Sequence, residues 1–379
     1  VTSGQGPLLL MTPGPTRVPD RVLAAGALPM IHHRTDEFSR EVGSVVSGLG
    51  PLFGTASPVL PVHATGRGGT EAAIANLFSA GDEIAACCNG KFGAMWAAHA
   101  EAYGLTVHRM ATDWSQDIDA DELDRLLTRH PAVRAVTVTC TDTSTGVCND
   151  VAAVARIGRA HGALVMVDGV SAVGGTPFAF DEWGVDVAVT ASQKCLMSAP
   201  GLAFVALSER AWAAHERSRL PRRYWDFSEI RRSVTAARPN TPGTPPVTVM
   251  RQVAEAIRMI NDEGLDVVWA RHEAMAQAVR RATARLGLSL QATGLRRFAP
   301  TVTAIAAPPG ISPETIRDGL KARGILVAGG LGTFEATCFR VGHMGDIRMV
   351  DVDATMTALA DILGGLGTGR PASAEPAAR

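Results

Sequence analysis

The chain of 379 residues has no excess of charge, since 36 basic side chains against 37 acidic ones leave a net charge of -1. A surface so balanced has no basic footprint for a nucleic acid and nothing to draw it onto an anionic membrane, so neither partner is expected. Arg217, Arg219, Arg222, Arg223, Arg231 and Arg232 form the densest basic groups and read as solvated surface. No uninterrupted apolar run reaches the roughly 18 residues that span a bilayer. The amino terminus lacks a basic stretch leading into an apolar segment, so no signal peptide is expected. The six cysteines (Cys87, Cys88, Cys140, Cys148, Cys195 and Cys338) form no C-x-x-C pair and no zinc-like spacing. Most lie in or beside apolar strand patterns, where a free thiol behaves as a small hydrophobe. A reduced, cytoplasmic protein without a metal site is the expectation. An internal repeat is also missing.

What is present is an alternation of strand and helix patterns. The predicted order is helix 71–78, strand 83–88, helix 94–102, strand 105–110, helix 120–127, strand 135–140, helix 151–161, strands 163–167 and 185–189, and strand 202–207. Continuous Val, Ile and Ala runs in such an order imply an α/β fold with a mostly parallel sheet covered by helices. The prolines of Pro7 to Pro15 make the amino-terminal segment an extended arm. A proline-rich loop over 237–246 precedes two long helices, 247–263 and 267–286. Strand 300–307, helix 312–322, strand 338–341 and helix 351–363 then predict a small α+β domain. The expected division is an arm over 1–20, a large domain over 21–255, a small domain over 256–365 and a disordered tail over 366–379.

The chemistry gathers at the ends of these strands. Val185 to Val189 leads into Thr190-Ala191-Ser192-Gln193-Lys194, and the preceding apolar run, Ala163 to Val167, ends in Asp168. A lysine and an aspartate at the carboxyl ends of neighbouring buried strands suit pyridoxal 5'-phosphate (PLP). The amine forms a Schiff base with the aldehyde, and the carboxylate keeps the ring nitrogen protonated as an electron sink. Thr65-Gly66-Arg67-Gly68-Gly69 follows a strand-like 59–63 and opens a helix. Its glycines let a phosphate approach the helix-start amides, and Arg67 adds a charge-assisted bond. No G-x-G-x-x-G with a later ribose-binding acid is evident in this unit, which disfavours a nicotinamide enzyme. The hydroxyls of Thr141 to Gly146, Ser144 among them, could bond a ring oxygen, and Phe92 could stack on the ring. Arg340 interrupts the apolar strand Cys338 to Val341, and a buried arginine needs an anion: a substrate carboxylate, or else an internal Asp or Glu.

These residues resemble the class V aminotransferases of PLP fold type I, in the alanine/serine–glyoxylate (or pyruvate) branch. The resemblance runs from Thr12-Pro-Gly-Pro-Thr16 through His32-His33-Arg34, Ser144-Thr-Gly146, Val167 to Gly175, Ser192-Gln-Lys194, Thr241-Pro-Gly-Thr244-Pro and Gly329-Gly-Leu331 to Arg340-Val-Gly-His-Met-Gly345. It implies a large domain with a sheet of the seven-stranded type, a small carboxyl-terminal domain, and a homodimer acting on a small amino acid and a small 2-oxo acid by a ping-pong mechanism. Lys194 is then the Schiff-base lysine and Asp168 the partner of the ring nitrogen. Gly66, Arg67 and Gln193 contact the phosphate, Thr65 is a further cofactor-binding residue, Phe92 stacks, and Ser144 lies near the ring hydroxyl. Thr241 and Thr244 would reach the phosphate of the neighbouring subunit, and Arg340 would bind the substrate carboxylate with His32 and His33 on the substrate side. Arg67 stands where many members carry His or Thr and resembles the ureidoglycine–glyoxylate aminotransferases, an alternative on the same fold. A PLP-dependent lyase such as a desulfurase is the other alternative. It needs an exposed cysteine, and Cys338 is expected to be buried.

Overall fold

The near-continuous apolar runs of the first half fold into a seven-stranded sheet. Its order is Leu60–Val62, Ala203–Leu207, Val187–Ala191, Leu164–Asp168, Val133–Thr139, Glu83–Cys88 and Thr106–Ala111. The structure, a computed structural model, describes residues 7–293, 295 and 297–366. The pairs from Val187–Ala191 to the Thr106–Ala111 edge are parallel, whereas Ala203–Leu207 opposes both of its neighbours. That reversal follows from the short loop 192–202 before it, which has no crossover helix, as a parallel connection would require. Every residue of Leu164–Asp168 and Val187–Ala191 is buried, which explains why these strands are apolar on both faces.

The second sheet is ordered Leu9–Met11, Ile325–Gly329, Cys338–Gly342, Val302–Ala306. Its first pair is parallel and the other two antiparallel. The arm therefore serves as the edge strand of the carboxyl-terminal sheet, and Met11 enters that sheet's core beside Met275, Ile305, Phe339 and Leu359. The helix Leu265–Arg285 spans both cores, with Val268 in the first and Met275 and Val279 in the second.

Some elements were not anticipated. Helix Asp36–Phe53 buries Phe38, Val42, Val45, Leu49 and Leu52 along one stripe, with Thr35 Oγ1 accepting from Phe38 N at 3.3 Å and Gly54 closing it at φ 66°. Strand Ile325–Gly329 and helices Glu209–Arg217 and Phe227–Val234 also went unpredicted. The helix expected from residue 71 begins on the glycines themselves, as Gly66–Leu77. Of the expected disordered tail, residues 367–379 lie outside the described residues.

Candidate active site

After Ala191 the chain turns into a loop held by its own hydrogen bonds. Ser192 Oγ donates to Ala199 O at 2.7 Å, and Ser198 N donates to Ser192 O at 2.9 Å. Lys194 rides on this loop and its Nζ donates to the carbonyl of Pro13. Thr16 fastens the arm to the same loop, donating from Oγ1 to Lys194 O at 3.0 Å and from N to Gln193 O at 3.1 Å. Gly14 lies at φ 123°, and a side chain there would strike the Lys194 side chain, so the position requires glycine.

Asp168 ends the neighbouring strand, only 3% exposed, and accepts from Val170 N at 2.9 Å. Burial pushes its carboxyl up to about 7, with nearby Asp142 adding to the rise and Lys194 opposing it. Burial lowers the Lys194 amine to about 8 against the pull of Asp168. The two groups feel each other's charge, and both are tuned toward neutral pH, where general acid–base work is most effective.

The start of helix Gly66–Leu77 adjoins this pair. A Cβ at Gly66 would meet Val170 Cγ2 at 2.7 Å and Ala191 Cβ at 3.4 Å, so the helix start lies against the ends of both strands. Thr65, its cap, makes no side-chain capping bond, which leaves the first amides to an outside acceptor. Gln193 Oε1 is buried with no hydrogen-bond partner, and the exposed Arg67 side chain makes no ion pair among the described residues.

Asp142, inside the turn from Thr141 to Gly146, ties the remaining pieces together. It is fully buried; Oδ1 accepts from Ser144 N at 2.9 Å and Ser144 Oγ at 2.5 Å, and Oδ2 accepts from Phe92 N at 3.1 Å. Ser144 Oγ also accepts from Lys91 N at 3.0 Å. Phe92 thereby sits on the first turn of helix Lys91–Ala102, locked to the Thr141–Gly146 turn, and the Ser144 hydroxyl is engaged within that lock. Behind it, Asn89 Nδ2 donates to Asn149 Oδ1 at 2.8 Å and Asn149 Nδ2 to Thr139 O at 2.7 Å, pinning adjacent strand ends. No short-range pattern could reveal these partners.

Arg340 arrives from the second sheet, 7% exposed. Its Nε donates to Gly329 O at 2.7 Å and its Nη1 to Thr143 O at 2.9 Å, so it joins the second sheet to the Asp142 turn. Burial disfavours its charge, nearby Asp142 favours it, and no acid among the described residues forms an ion pair with it. Cys338, two residues away, is buried, and burial pushes its thiol up to about 11, far from the exposed nucleophile of a desulfurase.

The other expected residues form a separate group. His32 and His33 stack loosely at 4.6 Å, and adjacent Arg34 donates to Thr241 O at 2.9 Å and Pro242 O at 3.2 Å. Thr241, expected to reach the neighbouring subunit's phosphate, is buried in its own chain and donates to Gly243 O at 2.8 Å. Thr244 is exposed. Among the described residues no hydrogen bond or ion pair links this group to Lys194, Asp168 or Arg340. Pro242 and Gly243 instead line a cavity of about 340 Å³ with His63 and Trp225.

A lysine and a carboxylate at adjacent strand ends, a glycine-rich helix start beside them and an arginine from a second sheet define an enzyme centre of the aminotransferase type. The chain belongs to the aminotransferase class-V family, which it matches over residues 9–350. It is 40% identical over 367 residues to the soluble hydrogenase small subunit of Synechococcus sp. (strain PCC 6716), covering 96% of this chain and 94% of that one. It is 37% identical to the L-aspartate–glyoxylate aminotransferase of Paracoccus denitrificans (strain Pd 1222), covering 91% of this chain and 88% of that one. Among solved structures it superposes on the pyridoxamine–pyruvate aminotransferase of Mesorhizobium loti with a TM-score of 0.91 at 28% identity, covering 97% of this chain and 94% of that one.

Proposed function

We propose that the protein is a PLP-dependent aminotransferase that moves an amino group from a small amino acid to a small 2-oxo acid, glyoxylate or pyruvate. The observation that carries this reading is buried Asp168 beside half-buried Lys194, together with Arg340, a buried cation that forms no ion pair among the described residues. Relatives named for glyoxylate and pyruvate transfer support the choice of acceptor. The name of the Synechococcus relative describes that protein; the lysine, aspartate and arginine here suit amino transfer.

The residues fit PLP. An open helix start, Arg67 with no ion pair among the described residues and the orphaned Gln193 Oε1 suit a phosphate, and a buried carboxylate with one backbone donor suits a cationic ring nitrogen. When bound, PLP supplies the aldehyde and the electron-accepting ring. Thr65, Gly66, Arg67 and Gln193 hold the phosphate, and Phe92 bounds the ring. Asp168 holds a positive N–H at its carboxylate. Lys194 Nζ, lowered toward neutrality, takes the substrate α-proton and gives it back. Arg340 orients the substrate carboxylate through its fork. On the same reading the protein is a cytoplasmic homodimer in which Thr244 reaches toward the neighbouring site.

The test is transfer itself. The protein supplied with PLP should convert glyoxylate or pyruvate to its amino acid when given a small amino donor. Borohydride should fix the cofactor on the peptide containing Lys194, and Lys194→Ala should abolish transfer. A reducible adduct on another lysine, or full activity of Lys194→Ala, would overturn the assignment.

A further inference from the structure

Helix Lys91–Ala102 carries Phe92 on its first turn, and the same face continues through Trp96 and His99 at the i, i+4, i+7 spacing. His99 has no part in the mechanism above, yet it is only 7% exposed. Its ring meets the helix Gly66–Leu77 at Thr70, with Nδ1 3.2 Å from Thr70 Oγ1. Thr70 Oγ1 in turn donates to Arg67 O at 2.7 Å. A hydroxyl has one proton and a carbonyl can only accept, so the proton of Thr70 goes to Arg67 O. His99 Nδ1 must therefore carry a hydrogen and donate it to Thr70. Nε2 is then a bare lone pair, and it is buried with no hydrogen-bond partner. A proton there would be an N–H without an acceptor. Burial opposes that second proton, Glu71 favours it and Arg67 adds to the opposition, so that the ring's pKa is lowered.

This relay, from imidazole N–H to hydroxyl to carbonyl, ends on the turn assigned above to the phosphate. Gly66, Gly68 and Gly69 make up three of the first four residues of that helix. Glycine loses the most backbone freedom when it is held, so the turn has little rigidity of its own. Thr65 adds none, since its side chain makes no capping bond. The turn is restrained instead from outside, by the close packing at Gly66 and Gly69 and by the polar tether from His99 through Thr70. A tether of neutral groups suits the place, because it fixes the direction of the amides without bringing in a carboxylate that would compete for them. The helix that sets Phe92 at the ring thus also holds the phosphate end.

We propose that His99 is a positioning residue for the cofactor phosphate, acting through Thr70 to hold the first turn of helix Gly66–Leu77 with its amides aimed at that group. The inference rests on the aminotransferase reading and concerns only the phosphate end of its cofactor. The test compares the dissociation constants of PLP and of phosphate-free pyridoxal, titrated by absorbance, in the native chain, His99→Leu, His99→Asn and Thr70→Val. His99→Leu should weaken PLP by about 5–30-fold, as the loss of a buried hydrogen bond does, and pyridoxal by less than about twofold. Thr70→Val should do the same, and the double variant should lose no more than either alone, since both break one relay. His99→Asn should stay within about threefold of the native chain, because its amide offers an N–H in place of Nδ1–H. A general loss of packing would weaken both ligands alike and would not be rescued by asparagine. Equal weakening of PLP and pyridoxal by His99→Leu, or undiminished PLP binding by Thr70→Val, overturns this inference and leaves the aminotransferase reading standing. Should His99→Leu not fold, the same comparison in Thr70→Val decides. A native chain that takes up neither PLP nor pyridoxal overturns both.

Discussion

At the scale of single residues the centre is a set of charges held where burial opposes them. Asp168 is the clearest case, because its folded-state carboxyl is raised to about 7 by burial. An unfolded aspartate ionises near pH 4, so the folded state favours the protonated form. In the cofactor-free protein this contribution is fully present below about pH 4 and is lost as pH rises toward about 7. Asp168→Asn removes the titration. Its melting temperature relative to the native chain, measured without cofactor, should therefore climb between pH 4 and pH 7 and level off above. The same variant should lose most turnover, because an amide cannot hold a cationic ring nitrogen. A pH-independent difference in melting temperature would remove burial as the cause, and near-normal turnover would remove the role. Lys194, Asp168 and Arg340 were legible because each charged residue interrupts or ends an apolar run. Asp142 was not, since a lone aspartate in a threonine-rich turn looks like a local turn former and its partner Phe92 lies far away in sequence.

At the scale of elements, what places the site is close approach between the helix Gly66–Leu77 and the sheet beneath it. Gly66 and Gly69 stand one turn apart on that helix, and a Cβ at Gly69 would meet Ala203 Cβ and Val189 Cγ1, each at 2.8 Å. Gly66→Ala would press against Val170, a β-branched side chain with little freedom to turn aside. Overpacking of this kind costs roughly 1–3 kcal/mol and should lift the phosphate seat off the strand ends, weakening PLP binding as well. Gly364→Ala, in the last turn of helix Met349–Gly365 with nothing within 4 Å of the added carbon, should instead gain about 0.4–1 kcal/mol. Urea midpoints of the two variants check the opposite signs, and equal shifts would show that the tight approach does not matter. Strands such as Glu83–Cys88, and the existence of most helices, could be read from hydrophobic period alone. The pairing of Leu9–Met11 with Ile325–Gly329 could not, because a parallel contact between segments at opposite ends of the chain leaves no local pattern. Nor could the reversed direction of Ala203–Leu207, which depends on what the loop before it does.

At the scale of the whole molecule, the proposed dimer follows from what this chain leaves uncovered. Leu23 is 49% exposed, Leu28 53%, Met30 69% and Tyr224 70%. The first three fall within eight residues of one another, just before His32-His33-Arg34, and scattered exposure would not concentrate them so. Arg34 ties this segment to the loop Asn240 to Pro246, whose Pro242 and Gly243 line the same cavity as Tyr224. The apolar segment, the loop with exposed Thr244 and the cavity therefore share one region. The cover proposed here is a second copy, with each loop then reaching, as the family resemblance implies, toward the other's phosphate seat. Two carboxylates placed in such an interface, as Leu28→Asp with Met30→Asp, must lose water without a partner. They should weaken the dimer by at least about a hundredfold, equivalent to about 3 kcal/mol. Both side chains are exposed in the single chain, so its own fold should hold. Sedimentation should then find folded monomers at micromolar concentration, with PLP retention and turnover both reduced, because Thr244 no longer reaches a neighbour. A native chain that sediments as a monomer, or a monomeric double variant with full turnover, would show that one chain completes the site alone.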